Sequence, residues 1–87
     1  MTLIAPSTGG SREWSLVEAP ARTPLTLRRT EGAPEFRRRL AALGLRRGAR
    51  LSVVHETIGG GRIVSVAGAR IALGRDVLAH LHVERVA

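Results

Sequence analysis

The sequence predicts a mainly β domain: a small closed or partly open antiparallel barrel of five short strands, with one short α-helix between the first two. Three observations point there. Apolar residues alternate with period two in several short runs, as in Leu51 and Val53, Val64 and Val66, or Leu81 and Val83. Turn signals, mostly glycine or proline, separate these runs about every eight to twelve residues, the spacing of an all-β barrel. A single segment, from Phe36 to Gly48, changes to the 3.6-residue period of a helix. Closure suits a chain of 87 residues, because each strand then buries one face in a modest core without leaving long open edges.

Residues 1 to 13 are small and polar, with a Gly-Gly-Ser stretch, the composition of a disordered tail; the domain is expected to run from 14 to 87. Trp14, the only Trp, is expected to plug an open end of the core rather than to stack on a ligand. Pro20 and Pro24 keep Glu18 to Thr23 extended or turned, and Leu25, Thr26 and Leu27 alternate as the first strand. In the helix, Phe36, Leu40 and Leu43 recur at i, i+4 and i+7 and share one face, leaving Arg37, Arg38 and Arg39 mainly on the other. Pro34 and Glu35 suit its first turn, where no N–H is needed and negative charge is favoured. Gly44 stands where a left-handed residue caps the last carbonyls. So short a helix is marginal alone, and its apolar face must lie on the sheet.

Arg46, Arg47 and Gly48 then turn the chain into a second strand, where Leu51 and Val53 alternate with Arg50 and Ser52 and which ends near Thr57. Gly59, Gly60 and Gly61 read as a hairpin loop needing positive φ; no helix with a P-loop Lys follows, so a phosphate cradle is rejected. Val64 and Val66 share one face of the third strand, Gly68 makes a tight corner, and Ile71 and Leu73 share one face of the fourth. Arg75 to Ala79 fits a single helical turn, after which Leu81 and Val83 alternate with His80, His82 and Glu84 in a closing strand. The expected core is Phe36, Leu40, Leu43, Leu51, Val53, Val64, Val66, Ile71, Leu73, Leu81 and Val83, with Gly44, Gly48 and Gly68 at turns and caps.

Composition excludes more than it identifies. A chain of this size has no room for a cleft between two domains, and it offers no Cys, no paired carboxylates in one element and no supported Ser/His/Asp arrangement, so no enzyme is expected. The absence of Cys fits the cytosol, and no stretch reaches the roughly 20 apolar residues of a membrane span. The net charge is +7, and all 14 basic residues are Arg. Between Arg28 and Arg50 stand eight Arg against Glu31 and Glu35, so the excess is concentrated around the helix. It is either a solvated face or a docking surface for an acidic partner.

The residues bear on two further classes of ligand. A basic barrel could bind nucleic acid, but Phe36 is committed to the helix face and Trp14 lies near the tail, so stacking platforms are lacking and no specific nucleic acid is expected. His80 and His82, at i and i+2 on a strand, point to one face and are the candidate metal ligands. Glu84 continues their row and His55 could approach it, yet a stable site generally needs three or four converging ligands. No cofactor is expected, and at most weak transition-metal binding.

The ordered set of residues from Leu16 to Val83 resembles the FeoA family, small cytosolic SH3-like barrels that accompany the bacterial ferrous iron transporter FeoB. The helix and turn that carry the likeness are Phe36, Arg37 to Arg39, Leu40, Leu43, Gly44, Leu45 and Gly48; Val64, Val66, Gly68, Ile71 and Leu73 match its hairpin, and Leu81 and Val83 its last strand. The family's early pattern is only partly kept, as Leu16, Ala19 and Pro20 followed by Arg22 where a glycine is usual. The resemblance implies an SH3-like barrel and an accessory or regulatory role in Fe(II) uptake, in the cytoplasm, through contact with a FeoB-type GTPase transporter and no chemistry of its own. Arg37, Arg38, Arg39, Arg46 and Arg47 are the expected docking residues, and the anionic inner leaflet beside the transporter could attract the same patch. The same barrel type implies an alternative, a detached regulatory domain working with an iron-dependent repressor of the DtxR type; this chain has no helix-turn-helix of its own.

Overall fold

The computed structural model describes residues 13–86. Among them are six strands and two helices: β1 (Glu13–Ser15), β2 (Leu25–Thr30), α1 (Pro34–Ala42), β3 (Arg50–Glu56), β4 (Arg62–Val66), β5 (Ala69–Leu73), α2 (Arg75–Leu78) and β6 (Leu81–Arg85). They form one sheet in the order β1-β6-β2-β3-β4-β5, every neighbouring pair antiparallel. The strand beyond the expected five is β1. Three residues are too few to show an alternation, and its partner β6 lies at the far end of the chain, where Trp14 faces Val83. The helix therefore lies between β2 and β3. The expected tail falls outside the described residues except for Glu13, which begins β1.

Alternation along the strands builds the core. Leu25, Leu27, Leu51, Val53, Val64, Val66, Leu73, Leu81 and Val83 are buried together with Leu16, Ala19, Leu40, Leu45 and Leu78, while Phe36, Ile71 and Trp14 are half-buried against them. Leu43 departs from the expected core: it is 48% exposed. The helix ends at Ala42, so Leu43 is the capping residue and the i+7 position never completes its turn. Gly44, at φ +95°, reverses the chain, its N–H donating to Ala41 O and that of Leu45 to Leu40 O, both at 2.9 Å. This is a Schellman cap, in which the residue after the glycine packs back on the last turn. Leu45 accordingly takes the core position that the helical period assigns to Leu43.

Turns follow the glycines with one difference. Gly59 and Gly60 have φ near +90°, but Gly61 does not; it is required by space, since a Cβ there would stand 2.6 Å from Thr57 Oγ1 and 2.9 Å from Leu73 O. Between β4 and β5, Ala67 and Gly68 both have positive φ, the signature of a two-residue hairpin loop of type I′.

Candidate docking surface

Three local devices gather the arginines. The first is a bulge in β2. Leu27 faces Val83 and Arg29 faces His82, so Arg28 is an extra residue, and both Arg28 and Arg29 are exposed. The second is α1, whose Arg37 and Arg38 are exposed on the flank that carries Pro34 and Ala41. The third is the turn after the cap. Ala49 N–H donates to Arg46 O at 2.9 Å, and the turn is fastened to β2 by Gly48 N–H to Leu27 O at 2.7 Å and Leu27 N–H to Ala49 O at 2.8 Å. Arg46 and Arg47 are thereby held beside β2 and α1 at once.

The result is a set of shallow grooves. One, of about 370 Å³, runs between α1 and the turn, edged by Arg37, Arg38, Arg46 and Arg47 over Ala41 and Leu45. A second, of about 380 Å³, is bounded by Glu13, Arg28, Arg29, Arg37 and Arg47. A third, of about 590 Å³, continues past Arg46, Arg47 and Arg50 to Val66 and Ala67. Arg28 is paired with Glu84 at 3.6 Å, and Arg29 with Glu13 at 3.1 Å and Glu31 at 3.0 Å. Arg37, Arg38, Arg46 and Arg47 make no salt bridge among the described residues. Of the five expected docking residues, Arg39 stands apart. Successive helical residues turn by about 100°, which carries Arg39 round to the Leu43 side of α1, away from Arg37.

The histidines are occupied separately. His80 precedes β6, its Nδ1 lying 2.7 Å from Asp76 O and its ring edge-on to Phe36 at 5.4 Å. His82 Nε2 lies 3.3 Å from Glu31 Oε2, within ion-pairing distance when the ring is protonated but without hydrogen-bond geometry. His82, and after it Arg29, hold the Glu31 carboxyl below the ordinary carboxylate range. His55 is exposed on β3. No group of three or more His, Asp or Glu among the described residues converges as metal ligands would.

Sequence reasoning passed over Arg62. Its guanidinium is buried, donating to Ala19 O at 2.6 Å, Leu16 O at 3.2 Å and Glu56 Oε2 at 2.8 Å. The signal was present, because period two puts Arg62 in phase with Val64 and Val66.

Comparison with known proteins agrees with this frame. The family model described as the FeoA domain matches residues 14–85. An iron uptake regulatory protein (FeoA) is 25% identical over 86% of this chain and 100% of its own, with a TM-score of 0.78. FeoA from Chlorobium tepidum is 29% identical over 85% of this chain and 71% of its own, at 0.76. Stenotrophomonas maltophilia FeoA complexed with zinc, described as a prokaryotic SH3 domain protein, is 25% identical over 80% and 88%, at 0.66. The fold is thus SH3-like. It is shared by a manganese-dependent transcriptional repressor, 20% identical over 87% of this chain and 43% of that one, at 0.78. No curated protein sequence matches the chain.

Proposed function

Because the chain belongs to the FeoA domain family, we propose that it is a cytoplasmic, non-enzymatic accessory protein of bacterial ferrous iron uptake that docks on a FeoB-type GTPase transporter. The observation that carries this reading is the disposition of Arg37, Arg38, Arg46 and Arg47, four exposed guanidiniums without salt bridges among the described residues, held by a capped helix and a turn fastened to the sheet. Charges of one sign on a rigid stretch of backbone steer an acidic surface into register. Guanidinium forks also pair carboxylates through two parallel hydrogen bonds.

The test uses the purified chain with the soluble GTPase domain and, separately, the full-length transporter in detergent, each with GDP and a GTP analogue. Binding that weakens as salt rises is the expected result. Absence of binding to either form at low salt, with every nucleotide state tried, would remove the reading.

A further inference from the structure

Arg47 is common to all three basic grooves: it edges the one under α1 with Arg38, the one beside β2 with Arg29, and the one toward the β4–β5 turn with Arg50. The grooves therefore join into a track that bends around a single side chain. We infer that this track receives an extended acidic peptide segment of the partner, with Arg47 as its central contact. The inference rests on the docking reading above and specifies what the docked element is.

Three features select a peptide over other polyanions. The walls are guanidiniums, but Pro34, Ala41 and Ala67 contribute apolar surface along the way, which suits side chains alternating with carboxylates. No aromatic ring lines any of the three grooves; Phe36 lies half-buried and edge-on to His80, and Trp14 belongs to β1, so single-stranded nucleic acid would find no stacking platform. A lipid surface rewards total exposed charge and would use Arg39 as readily as Arg47. A track along grooves discriminates between them.

Glu13, Glu84 and Glu31 neutralise Arg28 and Arg29 at one end of the track. The unpaired charge therefore lies at Arg37, Arg38, Arg46, Arg47 and Arg50, and carboxylates are expected toward the α1 and β4–β5 end of the bound segment.

The experiment titrates the full chain with a fluorescein-labelled peptide of alternating Glu and Ala, about eight residues long, beside an oligo(dT) of equal charge and vesicles containing phosphatidylglycerol. Arg47→Ala is expected to weaken peptide binding on the order of tenfold and Arg39→Ala less than about twofold, with folding of both confirmed by circular dichroism. Equal losses for the two variants would overturn the inference, as would oligo(dT) or vesicles binding more tightly than the peptide with Arg47 again dominant. The same two variants are then measured against the transporter. If the parent binds it and both variants weaken equally, the track is wrong and the docking reading stands; if the parent does not bind it, the docking reading falls and the peptide result judges the track alone.

Discussion

The Arg62 guanidinium donates to the Ala19 carbonyl at 2.6 Å inside the core, tying β4 to the loop that precedes β2. Leu16 and Ala19 are fully buried, so their carbonyls have no water to turn to. Removing the donor leaves two buried acceptors unsatisfied, and Arg62→Met should cost about 2 to 4 kcal/mol. Arg62→Lys should recover only part of this, because one ammonium cannot reach both carbonyls and Glu56 as the planar fork does. Urea unfolding checks it; a midpoint unchanged in Arg62→Met would mean the loop does not depend on β4.

Leu40→Ala and Leu45→Ala should each destabilise the fold by about 2 to 4 kcal/mol, since both side chains are buried where the capped helix meets the sheet. Leu43→Ala, at an exposed cap position, should cost less than about 1 kcal/mol. The same urea series tests the cap. If Leu43→Ala proved as damaging as Leu45→Ala, the Schellman arrangement would be incorrect.

Arg22 adopts φ +54° with its N–H donating to Val53 O at 2.8 Å. A left-handed conformation costs an L-residue about 1 to 2 kcal/mol, partly offset in glycine by greater unfolded-state freedom. Arg22→Gly should therefore be stabilising by about 0.5 kcal/mol, and Arg22→Val destabilising by more than about 1 kcal/mol. Thermal unfolding of the pair would show the reverse order if the backbone here were ordinary.

Glu31 links the end of β2 to β6 through His82, and its carboxyl is held below its ordinary value by His82 first and Arg29 second. A lowered carboxylate pKa contributes stability that is present above the unfolded value and lost as pH falls through the folded one. Stability should thus decline on the acid side, below about pH 4.5, the ordinary value, and Glu31→Gln should flatten that decline. An acid limb identical in Glu31→Gln and the parent would show that this carboxyl is not responsible.

The strands were legible because their inward residues are aliphatic and their turns carry glycine. What escaped was set by distance or by backbone geometry. β1 is visible only beside β6, from the other end of the chain. Leu43 obeys the helical period, but the helix stops before the period can act, and only the reversal at Gly44 shows that Leu45 goes inward. Charge clustering pointed to the arginine surface without dividing it. The bulge at Arg28 and the fastening of the Arg46–Ala49 turn to β2 bring Arg28, Arg37 and Arg47 around one groove, and neither can be read from local sequence.

The docking surface is tested most directly by Fe(II) uptake in a strain lacking the parent gene. Charge reversal at Arg37, Arg38, Arg46 and Arg47 should leave the fold intact, each exposed substitution costing within about half a kcal/mol, yet return uptake to the level of the deletion, while Arg39→Glu should restore uptake as the parent does. Normal uptake supported by the folded, fourfold charge-reversed protein would contradict the account.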